Sequence, residues 1–268
     1  VEGDERLTPG QIRDHWRDTA ISRGALPTAT WSDFYAVTME IREVLKHLRD
    51  GDVVLDVGCG NGYPTICYAK ERRVHIKGID DVPEMISAAR EWLEKERVGL
   101  RGEVEFSEGN ILSLGEPAET YDKLTLTRVL INLGSLESQL HALAECARLL
   151  RPGGTLILCE ASLQSWRNLN RLREEWGLPA IPMPRFNLFL DEEKFLPQAE
   201  RMFRVQEISH FMSSYFVGTR FLKPLLAQVA PTPVNAADPD MEWNRLMAEL
   251  PPVGDYGKVK LFVLVKTN

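Results

Sequence analysis

Asp56, Gly58, Gly60, Gly62 and Asp80 are spaced to hold a ligand between a tight turn and two carboxylates. The run Val54-Leu55-Asp56-Val57-Gly58-Cys59-Gly60-Asn61-Gly62 sets three glycines at alternate positions after an apolar stretch. Lacking Cβ atoms, they let the backbone bend sharply and lie close against a ligand, with a helix amino end beyond. The spacing is G-x-G-x-G, which differs from the G-x-G-x-x-G dinucleotide fingerprint. Asp56 precedes the first glycine by two positions, where its carboxylate could accept hydrogen bonds from a cationic amino group. Asp80 follows 24 positions later, near the roughly 20-residue offset at which Rossmann-type sheets place a ribose-binding acid. A carboxylate there can receive both ribose hydroxyls. Without a ligand, the same residues would be a strand–helix connection and a cap for the helix at Pro83. Both acids in the right context favour the binding reading.

Such residues need a sheet that delivers them to one edge. Buried-type strands are expected at 53–57, 75–80, 104–107, 123–127 and 155–160. Helices are expected at 64–70, 83–96 and 137–150, the last ended by Arg151-Pro152-Gly153-Gly154. Strands alternating with helices of this length mean βαβ units, so the fold class is α/β, a doubly wound and mostly parallel sheet. The first fifty residues read as helical. Thr8-Pro9-Gly10-Gln11 offers a cap, and apolar residues recur at helical spacing over 32–48. After 160 the pattern predicts a helix near 166–176, a helix opened by Asp191 and a strand at 204–211. Late helices over 215–255 and a final strand at 258–265 complete it. One enlarged domain is expected, with a helical lid over 1–50, a binding core over 51–160, and strands with helical substrate-binding insertions over 161–268.

Composition narrows the function classes. Hydrophobic residues at 44% leave ample surface to bury, so disorder is not the main state. Thirty-nine acids against 32 bases give a net charge of −7, which disfavours a dedicated nucleic-acid binder. No apolar run approaches the roughly 18–20 residues of a membrane span. The acidic start Val1-Glu2-Gly3-Asp4-Glu5 lacks the layout of a signal peptide, so a cytoplasmic protein is expected. Cys59, Cys67, Cys146 and Cys159 form no CxxC pair and read as free thiols, with no metal site.

Four ordered segments carry a resemblance. They are Asp56–Gly62, Gly78-Ile79-Asp80 with Pro83-Glu84-Met85, Glu108-Gly109-Asn110-Ile111, and Leu150-Arg151-Pro152-Gly153-Gly154. Over about residues 50–160 they resemble motifs of class I S-adenosylmethionine-dependent methyltransferases. The resemblance implies a seven-stranded Rossmann-like sheet whose last strand is antiparallel. It also implies S-adenosylmethionine as cofactor. Gly58, Cys59, Gly60, Asn61 and Gly62 would then cradle the methionine part, Asp80 would hold the ribose, and Tyr63 is a candidate aromatic wall around cofactor or substrate. Asp81 and Val82 fall near the adenine, as does Asn110 with Ile111. Asn110 stands where the family usually has an aspartate, and its amide can still accept the adenine hydrogen bond. Thr127 and Arg128 end the fourth strand, where such enzymes place the sulfonium and the acceptor. That strand end lacks the Asn/Asp-Pro-Pro-aromatic signature of amino-group methylation on nucleobases or glutamine. Leu130–Leu133 and Asn168–Arg171 look similar to bacterial small-molecule methyltransferases.

Methyl transfer is an in-line displacement in which the protein chiefly aligns the acceptor and excludes water. A hydroxyl acceptor benefits from a base, and Glu160, at the end of the fifth strand, is the best-placed carboxylate. His15 could serve if the N-terminal segment closes as a lid. Trp31 and Tyr35 are candidate aromatic walls, and Asn132, Arg185 and Arg220 are candidate acceptor contacts, with Lys223 a further cation. The expected function is methyl transfer to O or N of a small metabolite, sugar or natural-product scaffold. A macromolecule methyltransferase and a non-catalytic S-adenosylmethionine-binding protein are the alternatives. A nicotinamide oxidoreductase is disfavoured by the glycine spacing.

Overall fold

The computed structural model describes residues 6–267, so the acidic start at 1–5 lies outside the described residues. Two helices come first, α1 (Pro9–Arg23) and α2 (Phe34–Leu45). The alternating part follows as β1 (Val53–Val57), α3 (Tyr63–Glu71), β2 (His75–Asp80), α4 (Pro83–Glu96), β3 (Glu103–Glu108), β4 (Tyr121–Thr127), α5 (Leu136–Leu149) and β5 (Leu150–Ala161). The remainder supplies α6 (Leu163–Glu175), α7 (Glu192–Ala199), β6 (Phe203–Ser209), α8 (Ser213–Phe216), α9 (Lys223–Val229), α10 (Glu242–Ala248) and β7 (Val259–Lys266). A π-helical stretch, Val217–Leu222, joins α8 to α9.

The seven strands form one sheet in the order β3-β2-β1-β4-β5-β7-β6. β1 to β5 pair in parallel, whereas β7 runs antiparallel to both β5 and β6. The order reverses between β1 and β4, and ligands bind open α/β sheets beyond the strand carboxyl ends at such a switch point. Apolar clusters cover both faces. α2 and the late helices pack with Val54, Ile76 and Leu261 on one side. α5 and α7 pack with Leu55, Leu124 and Phe262 on the other.

Local chemistry accounts for the N-terminal helices. Thr8 Oγ1 accepts from the Gln11 N–H and Gln11 Oε1 accepts from the Thr8 N–H, completing the capping box. The structure corrects the reading of 1–50 as one lid. Ala36, Val37 and Val44 of α2 are fully buried, so that helix is core and only α1 lies free to cover the sheet edge. A second correction concerns β5, which begins at Leu150 rather than 155. Leu150 pairs with Tyr121 across a register shift, and Arg151 meets Asp122 at 2.5 Å, so the chain turns from α5 straight into the sheet.

Candidate active site

The carboxyl ends of β1, β2 and β4 and the loop after β3 surround a cavity of about 240 Å³. Its floor is the glycine turn. Gly58 has φ +64°, a left-handed conformation, and a Cβ there would lie 2.5 Å from Val129 Cγ2. Gly62, the N-cap of α3, has φ +73° and packs against Phe106 and Ala89. The first residue is thus glycine for the turn's approach to β4, and the second for helix packing. Asp56, Gly58, Cys59, Gly60 and Asn61 all face the cavity.

Two carboxylates sit at its back. Asp56 Oδ2 accepts from Thr65 Oγ1 at 2.5 Å and Oδ1 from Thr125 Oγ1 at 2.7 Å. Burial pushes its pKa up to about 6, against the pull of those two hydroxyls. Asp80 Oδ2 accepts from the Gly60 N–H at 2.9 Å and Oδ1 from the Val82 N–H at 3.0 Å. Burial also raises Asp80 to about 6, the two amides opposing and Asp81 and Asp56 adding to the rise. Above that pH both are ionised, and the cavity carries a negative field. Asp81, Val82, Asn110 and Ile111 continue the lining on the β2 and β3 side. Val82 and Ile111 are buried and apolar, while the Asn110 carboxamide oxygen accepts from the Leu112 N–H at 2.8 Å.

α1 forms the roof. Pro9, Ile12, Arg13 and Trp16 line the cavity from above. Arg13 donates to the Asp81 carbonyl through Nε at 3.1 Å and Nη2 at 2.7 Å. Behind α1, Asn61 Nδ2 donates to the carbonyls of Gly24 at 3.0 Å and Leu26 at 2.8 Å. The loop residue expected to touch the cofactor therefore spends its amide anchoring the roof.

At the end of β4, Thr127, Arg128 and Asn132 line the cavity. Arg128 is held at φ +58°, and its guanidinium is engaged by Glu40 and Thr30. Asn132 Nδ2 donates to the Arg128 carbonyl at 2.7 Å, and its Oδ1 accepts from Asn187 at 3.1 Å. Glu160 does not reach the cavity. It is 0% exposed, and Oε1 accepts the N–H groups of Val129 and Leu130, both at 2.7 Å. Burial pushes its pKa to about 8 despite those donors. A sealed and largely protonated carboxyl closes the turn after β4 and is not a base for an acceptor.

Beside this turn lies a box of rings and charges. Arg128 Cζ lies 5.1 Å and Lys258 Nζ 5.4 Å from the Trp31 ring centroid. Lys258 Nζ also lies 5.7 Å from the Phe189 ring. Arg220 Nη2 donates to Asp33 Oδ2 at 2.6 Å, with its guanidinium over Phe216. Trp31 and Arg220 thus share one cluster with Arg128 but do not themselves line the cavity.

Other expected residues stand apart. His15 stacks on Phe186 at 4.4 Å between ring centroids, on a face of α1 that does not line the cavity. Tyr63 leans on Trp92, and Tyr35 packs on the core beside Phe34. Arg185 is exposed, its carbonyl accepting from the Leu7 N–H at 3.2 Å. The Lys223 ammonium binds Asp238 and Asn244 among the late helices. Sequence reasoning missed Ile12 and Arg13, whose only signal was the capped helix, and Lys258, which read as the first residue of a strand.

Comparison with known proteins adds family evidence to this geometry. Residues 54–154 match a family model described as a methyltransferase domain. The 27-O-demethylrifamycin SV methyltransferase of Amycolatopsis mediterranei is 34% identical over 111 residues, 41% of this chain and 39% of that protein. The ubiquinone/menaquinone biosynthesis C-methyltransferase UbiE of Hydrogenovibrio crunogenus is 30% identical over 170 residues, 61% of this chain and 64% of that one. The chain spans 31–44% of the length of three curated relatives it matches. Among solved structures, the [4+2]-cyclase SpnF superposes with a TM-score of 0.64 at 19% identity, covering 99% of both chains. At that identity the likeness is one of fold.

Proposed function

We propose that this chain, whose residues 54–154 are a class I S-adenosylmethionine-dependent methyltransferase domain, transfers a methyl group to a small-molecule acceptor. The observation that carries this reading is the roof. α1 closes over the switch point through Arg13 and through the Asn61 anchor, leaving a cavity of about 240 Å³. The roof covers the side of the switch point from which a large acceptor surface would approach, which favours a small one.

The residues fit the donor. Asp80 spends one bond per oxygen on backbone amides, which leaves lone pairs for two ribose hydroxyls. The ionised Asp56 and Asp80 complement a cationic molecule, and Val82 and Ile111 offer an apolar slot for a flat base. When bound, S-adenosylmethionine supplies a methyl group already activated on a sulfonium. The protein's task is then alignment and exclusion of water. Arg128, fixed by Glu40, and Asn132, fixed by Arg128 and Asn187, form a rigid wall where the acceptor atom would stand. Asp56 is bonded to Thr65 and Thr125 and Asp80 to two backbone amides, so we assign neither as a base, which suits an acceptor that arrives already nucleophilic, on nitrogen or an acidic oxygen. A reducing compartment such as the cytoplasm suits the four unpaired thiols, three of them buried. No helix among the described residues is long and apolar enough to cross a membrane.

The test is incubation with methyl-labelled S-adenosylmethionine and a size-fractionated cell extract, with Asp80→Ala as the blank. Label is expected in the low-mass fraction. Label confined to protein or RNA would overturn the small-molecule reading.

A further inference from the structure

Two cations stand among the described residues that line the cavity, Arg13 and Arg128. Arg13 donates to the Asp81 carbonyl on the β2 side, with its charge 4.0 Å from Asp81 Oδ2. Arg128 gives Nε to Glu40 Oε1, Nη1 to the Thr30 carbonyl and Nη2 to Thr30 Oγ1, each at 3.0 Å. A guanidinium carries five N–H donors, so two of those on Arg128 remain. Thr30 lines the cavity too, and its hydroxyl accepts from Arg128 but donates to no described residue. A guanidinium and a hydroxyl with donors to spare, side by side at a cavity wall, suit a carboxylate.

Thr30 belongs to the glycine turn in space. A Cβ at Gly60 would lie 3.0 Å from Thr30 Cγ2, so the threonine methyl rests against the middle glycine. Asn61 holds the same stretch of chain through the carbonyls of Gly24 and Leu26. Segment 24–31 and the turn therefore form one unit, although the segment lies outside residues 54–154 of the matched domain. The Arg128 backbone belongs to the acceptor wall, while its side chain reaches back to Thr30 beside the turn. S-Adenosylmethionine brings a sulfonium, an ammonium and one carboxylate. Asp56 suits the ammonium, and the carboxylate needs a cation on the same side of the cavity.

We propose that Thr30 and Arg128 bind the carboxylate of the donor's methionine part, Thr30 being a recognition residue supplied by the segment between α1 and α2. The inference rests on the methyl-transfer reading and gives donor recognition a residue from beyond the matched domain.

The experiment titrates the full chain calorimetrically at pH 7.5 with S-adenosylhomocysteine and with S-adenosyl-3-thiopropylamine, which lacks only the carboxylate. The wild type is expected to bind the first at least about thirtyfold more tightly, as charge-assisted hydrogen bonds imply. Thr30→Val, which keeps the methyl against Gly60, should cut that ratio by about tenfold, and Thr30→Ala should do the same. Thr30→Ser should keep it. Affinity for the thiopropylamine should be unchanged in Thr30→Val, which also reports that the variant folds. Equal binding of the two ligands by the wild type, an equal loss of both in Thr30→Val, or a ratio unchanged in the Val and Ala variants overturns the proposal. Failure of the wild type to bind S-adenosylhomocysteine would instead overturn the reading beneath it.

Discussion

Arg128 Nε donates to Glu40 Oε1 over 3.0 Å, joining the end of β4 to the buried face of α2. The pair holds a non-glycine residue at φ +58° against the cavity, a conformation that costs about 1–2 kcal/mol. The carboxylate side chain is 3% exposed and the guanidinium 15%, so neither charge can turn to bulk water if the other is removed.

Glu40→Ala is expected to destabilise the fold by about 3–5 kcal/mol, because it strands a buried guanidinium. Glu40→Gln, which keeps an acceptor oxygen, should lose less. Urea unfolding monitored by tryptophan fluorescence gives both numbers. An Ala variant within 1 kcal/mol of wild type would show that Thr30 alone holds Arg128.

Gly62 and Phe106 give a packing prediction. A Cβ at Gly62 would lie 2.6 Å from Phe106 Cζ, on a backbone at φ +73°. Gly62→Ala is expected to cost about 3 kcal/mol, part from the left-handed backbone and part from overpacking. Phe106→Leu should recover the overpacking part, so the double variant should be more stable than the sum of the two single changes. Strict additivity in the mutant cycle would contradict this.

Glu160 predicts a pH dependence of stability. Its folded pKa of about 8 lies above the ordinary 4.5, so the folded state holds a proton that the unfolded state releases. Its contribution therefore falls as pH rises from 4.5 to about 8, with a slope of up to ~1.4 kcal/mol per pH unit. Glu160→Gln should flatten that slope. The window from pH 6.5 to 8 is cleanest, because Asp56 and Asp80 complete their change near 6. Parallel stability curves for wild type and variant would rule out the assignment.

Asp80 sets the acid limit of ligand binding. Ribose hydroxyls donate best to the ionised carboxylate, which is lost as pH falls through about 6. S-Adenosylhomocysteine affinity should be level above pH 7 and should then weaken by nearly tenfold per pH unit below 6. Asp80→Asn should bind about 10- to 100-fold more weakly at pH 7.5, with a flatter profile. Calorimetry at four pH values checks both.

What the sequence disclosed was local. The glycine turn, Asp80 and the capping box of α1 each depend on residues a few positions apart, so they were legible. Asn61 and Glu160 were found as residues, but the partners of their side chains were not legible. The partners that consume their side chains, Gly24 and Leu26 for one and Val129 and Leu130 for the other, lie 30 to 37 positions away. Lys258 and Arg13 showed only as the start of a strand and a member of a capped helix, with nothing to say where their side chains end up. The first is delivered to the site by an antiparallel strand and the second by a helix folding back 68 positions onto Asp81. The early start of β5 was equally invisible, because an Arg-Pro-Gly-Gly run reads as a turn until Tyr121 pairs with Leu150.

β7 lies between β5 and β6, although both precede it in the chain. On a ribosome, which makes residues in order, β6 emerges with no neighbour to bond, and the β5 edge waits open with it. The β5 backbone from Thr155 to Ala161 stays unpaired on that edge until residues 259–266 arrive. Zipping of the sheet thus waits for β7, and the nascent chain carries open strand edges during the interval before it. Lys258 immediately precedes β7, so its place beside Trp31 is set only when the sheet closes.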